Sequence, residues 1–312
     1  MAVAPAPWAH RLAVVLSGAT LLLIVAGGLV TNTGAALAVP DWPTTFGHNM
    51  FLFPWSGMVG GVFYEHTHRL LGAVVGVLTL ALAAVLWLAD DRRWLRGLGL
   101  VAIGLVVLQG LLGGLRVLLL RETLAIVHGC LAQAFFAFTV ALALVTSGAW
   151  RAPAAPLPSA DRRALARLSA AGVAALFGQI VLGALTTHGT RPGWVALHLA
   201  GAVIAAVAAG GLAFRVLARH AGQDALAWLA RVLIALLGVQ LALGLGAYVA
   251  RFTAAAVPGG PAVALALPVA HRAIASLLLG AAVALALESW RRAPSTARRG
   301  VRSGAVAREV PA

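Results

Sequence analysis

The 312-residue chain has no lysine, a single cysteine and only nine acidic residues. Each scarcity excludes something. Cys130 has no second thiol to meet, so no disulfide closes within the chain. With 23 basic residues, all arginine, the formal net charge is +14, which in a soluble protein would suggest a nucleic-acid partner. Yet charged residues make up only 10% of the sequence and hydrophobic residues 61%, with a mean hydropathy of +0.94. That composition lies outside the range of soluble globular proteins and describes an integral membrane protein.

What is present in abundance is the apolar run of about twenty residues, the length that crosses a hydrocarbon core of ~30 Å as a helix. Such runs fall at 12–31, 66–88, 97–116, 123–146, 167–187, 194–214, 228–250 and 268–290. The expected fold is therefore all-α and polytopic, with eight transmembrane helices. The first run continues into VTNTG without a small-residue cleavage site and reads as a retained span rather than a signal peptide. With the N-terminus inside, only Arg69, Arg116, Arg121, Arg191, Arg251 and Arg272 fall on the outer side, and the other 17 arginines fall on the inner side. The positive-inside rule then puts both termini in the cytoplasm. The excess charge is topological: the partner it implies is the lipid bilayer, and no nucleic acid is expected. An all-arginine basic complement fits a GC-rich bacterial genome and hence a bacterial cytoplasmic membrane.

The Pro/Ala-rich stretch WRAPAAPLP at 150–158 opens a cytoplasmic linker, 150–166, that divides the chain into an N-terminal half, 1–149, and a C-terminal half, 167–290. The Arg/Ala/Ser/Pro-rich tail, 291–312, is expected to be disordered. The halves repeat weakly. LQGLLGGLRV at 108–117 matches VQLALGLGAY at 239–248, and AGGLVTNTG at 26–34 resembles LGALTTHGT at 182–190. A glutamine followed four residues later by glycine recurs as Gln109/Gly113, Gln179/Gly183 and Gln240/Gly244. Four spans per half give both halves the same orientation, so two four-helix bundles related by a pseudo-twofold along the membrane normal are expected, not an inverted-repeat transporter. One long outer loop, from Gly34 to Glu65, carries Trp42, Phe46, Phe51, Phe53, Trp55, Phe63 and Tyr64, and is expected to lie at the interface over the outer end of the bundle.

Nine histidines are present. His68, His128, His198 and His271 open the four even-numbered spans, all toward the outer face, and the repeat pairs His68 with His198 and His128 with His271. One histidine in a membrane helix is most simply a packing residue, but four at one depth are not, because ionisable groups inside a bundle are costly. Two facing imidazoles per half, with no carboxylate or thiolate cluster to complete a tetrahedral site, suit the axial positions of a haem held between helices. Arg69 and Arg272, each directly after such a histidine, are candidates for pairing with haem propionates. Glu65 stands three residues before His68 on one helical face, whereas the matching place before His198 is Val195. Only the first site gains a carboxylate able to move protons beside a bound tetrapyrrole. His66 faces another side of its helix, and His10, His48, His188 and His220 lie at or beyond helix ends.

Residues 27–72, GGLVTNTGAALAVPDWPTTFGHNMFLFPWSGMVGGVFYEHTHRLLG, resemble the haem A synthase family, most specifically through TGxxLxxPDWP together with ExxHR. The resemblance implies an eight-helix protein that oxidises one methyl group of haem O to the formyl group of haem A by successive hydroxylations. It implies that His68 and His128 hold the substrate, that His198 and His271 hold a haem b, and that Glu65 is the functionally important glutamate. It also implies contact with the haem O-forming farnesyltransferase and with assembly factors of haem-copper terminal oxidases, and leaves a homo-oligomer open. Many bacterial members carry a cysteine pair flanking PDWP. Here Val39 and Thr45 stand at those places, so this is a cysteine-free form. The competing reading is a bis-histidine cytochrome b carrying electrons from quinol, which gives Glu65 and the PDWP loop no part.

Overall fold

A computed structural model of the chain describes residues 7–191 and 193–292; the tail expected to be disordered lies, from residue 293 on, outside them. Among the described residues eight helices are long and apolar enough to cross a membrane, and the protein is all-helical as expected. They are α1 (Pro7–Asn32), α2 (Gly60–Ala89), α3 (Arg93–Leu119), α4 (Glu122–Thr146), then, after the one-turn α5 (Gly148–Arg151), α6 (Ser159–His188), α7 (Trp194–His220), α8 (Asp224–Phe252) and α9 (Gly260–Arg291).

Several helices start well before the apolar runs that announce them, α2 and α9 among them. The run at 66–88 becomes a helix from Gly60, and the run at 268–290 a helix from Gly260 with Pro268 inside it. Hydropathy finds where a helix is greasy, whereas its start is set by backbone geometry. Gly60 (φ +54°) and Gly259 (φ +90°) supply left-handed turns that aim the chain into the helix, and Pro261 stands in the first turn of α9, where a missing N–H costs nothing. Likewise the segment read as a linker, 150–166, is non-helical only over 152–158.

In the first half α1 and α3 each pack on both α2 and α4; in the second, α6 and α8 each pack on both α7 and α9. The halves meet where α4 touches α9 and α6, and where α1 touches α9. This adjacency is unchanged when α1–α4 are exchanged for α6–α9. At the seam Ser276 Oγ donates to Gln133 Oε1 (2.7 Å), and Gly280 lies so close to Phe136 and Val140 that a methyl there would stand 3.2 and 3.3 Å from them. Small residues let helices approach in this way where lipid offers no hydrophobic drive.

Each half has its own apolar core, around Leu16, Leu82, Leu86, Leu95 and Leu142 in one and Leu165, Leu212, Leu226, Leu233 and Leu285 in the other. These leucines occupy the turns at the arginine-rich end. That end is also tied by ion pairs: Asp90 with Arg92 and Arg151 (2.9 Å each) and Glu288 with Arg291 (2.6 Å) and Arg292 (2.9 Å). Leu157 N donates to the Arg292 carbonyl (3.1 Å), laying the connecting segment along the end of α9. The histidines belong to the opposite end.

Candidate functional site

All four histidines are seated alike. Each projects from the early turns of its helix against a glycine of the preceding long helix: His68 of α2 on Gly27 of α1, His128 of α4 on Gly113 of α3, His198 of α7 on Gly183 of α6, and His271 of α9 on Gly244 of α8. A methyl on any of these glycines would stand 3.0–3.2 Å from the histidine Cε1. The glycines are cradles for imidazole edges, and three of them are the glycines of the Gln-x3-Gly repeat. Beside His198, Gln179 Nε2 lies 3.0 Å from Nδ1 and donates to the His198 carbonyl (2.8 Å). Beside His271, Gln240 Nε2 lies 3.3 Å from Nε2 while Nδ1 lies 3.2 Å from the Gln240 carbonyl oxygen.

The pairs expected within each half are brought together. His198 and His271 face one another with ring centroids 6.3 Å apart and planes nearly perpendicular, and His68 and His128 are within reach of each other's charge. All four lie among the helices and are half-buried. Nδ1 of His68 and of His128 is buried without a hydrogen-bond partner, and so are the side-chain oxygens of Gln109, Gln179 and Gln240.

Over the first half the loop 33–59 folds into a lid anchored on α2. Asp41 caps its turn, accepting from the N–H groups of Phe46 and Gly47 (2.8 Å each) and from the Thr44 hydroxyl. Burial pushes the Asp41 carboxyl up, but the Gly47 amide, the Thr44 hydroxyl and the Phe46 amide outweigh it and hold the group at about 2, below its ordinary 3.8. Trp42 inserts its indole where any side chain on Gly114 of α3 would lie. Val39 and Thr45, which flank the PDWP segment, are both 0% exposed. Val39 N donates to Glu65 Oε2 (2.9 Å), and the Thr45 hydroxyl lies 3.1 Å from His66 Nδ1. His66, 1% exposed and 5.1 Å from the Phe53 ring, is thus a lid anchor.

Glu65 is 5% exposed and sits in the second turn of α2, not at its cap. Its Oε1 takes Arg69 Nη2 (2.9 Å). Arg69 donates its remaining terminal N–H groups to the carbonyls of Val39 (2.9 Å), Asp41 (2.7 Å) and Thr44 (3.0 Å), so the guanidinium expected to meet a propionate is engaged with the lid. Among the described residues neither Arg272 nor Arg116 has a carboxylate at ion-pair distance. Arg272 follows His271 as expected. Arg116, not singled out from the sequence, lies within charge range of Glu65, His68, His128 and Arg272. The repeat carried a signal for it: Arg116 stands three residues after the His128 cradle Gly113, where the second half has Ala247. His188, at the end of α6, is within range of Arg116, Arg251 and Arg272. His10 is a packing residue, its Nδ1 2.9 Å from the Ala143 carbonyl.

Among the described residues no group of three or more His, Cys, Asp or Glu is placed to hold a metal ion. A metal between two imidazoles here must take its other ligands from the molecule that carries it. Paired imidazoles, glycine cradles, unpartnered Nδ1 atoms and unpaired guanidiniums match the needs of an iron macrocycle bearing carboxylates.

Residues 56–191 match the family COX15-CtaA, described as cytochrome oxidase assembly protein. The chain is 34% identical over 105 residues to a "Heme A synthase" of Shouchella clausii, covering 33% of this chain and 34% of that one. It is 31% identical over 144 residues to a "Heme A synthase" of Bacillus pumilus, covering 45% of each. It therefore spans less than half the length of the curated relatives it matches. The family match takes in Glu65, His68, Arg116 and His128 and ends before His198 and His271. The similarity of this chain to the cytochrome oxidase assembly proteins of the COX15-CtaA family is thus a similarity of residues 56–191.

Proposed function

We propose that the protein is a haem A synthase, oxidising one methyl group of haem O to the formyl group of haem A for haem-copper terminal oxidases. The observation that carries this reading is the asymmetry between two otherwise matched histidine pairs. Both halves seat two imidazoles on glycines, but among the described residues only the first is roofed by a lid and has a buried glutamate three residues before a histidine of the pair. A plain bis-histidine electron carrier needs neither. His68 and His128 would hold the substrate iron, and His198 and His271 a resident haem b. An iron held there supplies the redox chemistry. The protein's part is to orient the ring, exclude water with the lid, and hold or move a proton at the Glu65 carboxylate. Arg116 by the first pair and Arg272 by the second would take the carboxylates of the two groups, while Arg69 fastens the lid. The setting is a bacterial cytoplasmic membrane with both termini in the cytoplasm, and the partners are the farnesyltransferase that makes haem O and the factors that assemble the oxidase.

The test is to purify the protein from cells that supply haem O and identify bound tetrapyrroles by mass spectrometry. Haem A or its hydroxylated precursor is expected in the wild type. Glu65→Ala should cut conversion by about 100-fold or more, the scale of general acid–base contributions, while haem O remains bound. Haem b alone, unchanged by Glu65→Ala, would favour the electron carrier.

A further inference from the structure

Two consecutive glycines, Gly113 and Gly114, stand near the outer end of α3, and the histidine cradles account only for the first. Successive residues of a helix point about 100° apart, so the seat of His128 does not explain Gly114. The repeat does not call for it either. The place after the matching cradle Gly244 holds Leu245, and the place after Gly183 holds Ala184. Leu245 is 68% exposed, whereas Gly114 is buried. What covers Gly114 is Trp42: a methyl on this glycine would overlap three atoms of the indole. Gly114 is a notch that one methyl group would fill.

This contact has a distinct place in the lid. Val39 and Thr45 are held by Glu65 and His66, Arg69 takes the carbonyls of Val39, Asp41 and Thr44, and the Phe53 ring lies against His66. All of these anchors belong to α2, the helix into which the lid runs at Gly60, so they hold its near edge. Trp42 reaches across to α3, one residue from the glycine that seats His128 and two from Arg116. The lid therefore spans both helices, α2 with His68 and α3 with the cradle of His128. A cover fixed on one side closes nothing until its far edge is held. Tryptophan suits that task, because it brings a large, rigid apolar surface whose fit depends on the shape of the notch.

We propose that Trp42 is a positioning residue: its indole, keyed into the notch at Gly114, latches the lid across the first histidine pair and sets how fast a tetrapyrrole enters and leaves there. This rests on the reading that the first pair takes haem O. Lids of this kind commonly govern uptake and release rather than the chemical step. The second pair, with Leu245 exposed at the place of the notch, has no such latch.

The test loads the purified protein with haem O and haem b, keeps it free of oxygen, and mixes it with excess apomyoglobin as a haem acceptor. Tetrapyrrole remaining on the protein is identified over time by mass spectrometry, haem O reporting the first site and haem b the second. Trp42→Ala and Gly114→Ala should each speed the loss of haem O by roughly 10-fold or more and leave haem b unchanged. The double variant should lose haem O no faster than either single one, because both substitutions remove the same contact. Trp42→Phe, which keeps a ring for the notch, should restore most of the slow release. A role in folding alone would speed both haems together. If Gly114→Ala does not assemble, Trp42→Ala with its phenylalanine rescue decides alone. Haem-loaded protein in which Trp42→Ala leaves the loss of haem O unchanged, or speeds haem b equally, overturns the inference and leaves the synthase reading standing. A protein that takes up no haem overturns both.

Discussion

At the scale of single residues, the lid hangs on a few buried polar contacts. Asp41 organises the turn, Arg69 and Glu65 bind the lid backbone, and Thr45 meets His66. Because folding lowers the Asp41 carboxyl from its ordinary 3.8 to about 2, its contribution to lid stability is complete above the unfolded value. It is lost as pH falls through the folded one. Pepsin cleavage within residues 41–53, normalised to cleavage in 152–158, should therefore rise as the pH is lowered from roughly 4 to 2. In Asp41→Asn the ratio should be high throughout and nearly flat. A flat, low ratio in the wild type would mean that the turn does not depend on this carboxylate. The PDWP segment was legible as a feature in the sequence, but the attachment of Val39 and Thr45 to Glu65 and His66 was not. Those contacts join residues more than twenty positions apart, and no periodicity encodes them.

At the scale of elements, membrane helices bind one another by close packing rather than by removal from water. The seam between α4 and α9 shows both available devices, the Ser276–Gln133 hydrogen bond and the closely packed Gly280. Interhelical hydrogen bonds in bilayers average only ~0.6 kcal/mol, whereas forcing bulk into a packed site costs about 1–3 kcal/mol or more. Ser276→Ala should thus lower the Tm in detergent slightly, and Gly280→Leu clearly more. Equal small effects would show that packing at Gly280 does not hold the halves together. The spans themselves were readable because each is one uninterrupted apolar run. Their starts were not, since α2 and α9 begin at glycines in left-handed conformations beyond the greasy core of the helix.

At the scale of the whole molecule, two rings of four helices stand side by side with packed leucines and ion pairs at one end and histidines at the other. The arginine bias predicts which end faces the cytoplasm. A fluorescent protein fused after residue 292 should fluoresce, a periplasm-dependent phosphatase fused after Arg121 should be active, and one fused after Arg92 should be silent. The reverse pattern would invert the molecule and place the histidines inside. Of the candidate site, the four histidines and Glu65 were visible from the repeat and from its break at Val195. Arg116 was hidden among the outer arginines because its direction, not its depth, sets it apart.

The sequence by itself determined the number of spans, the weak duplication and the histidine of each even-numbered span, because hydropathy, repetition and residue type are local properties of a chain. Only the tertiary structure decided what each polar group faces. It gave the glycines their imidazoles, turned Arg69 toward the lid and left Arg116 and Arg272 without carboxylate partners among the described residues. The physical reason is that a helix presents a different residue every 100°, and which of them meets a partner depends on the rotation of two helices against each other, settled by packing along their whole length.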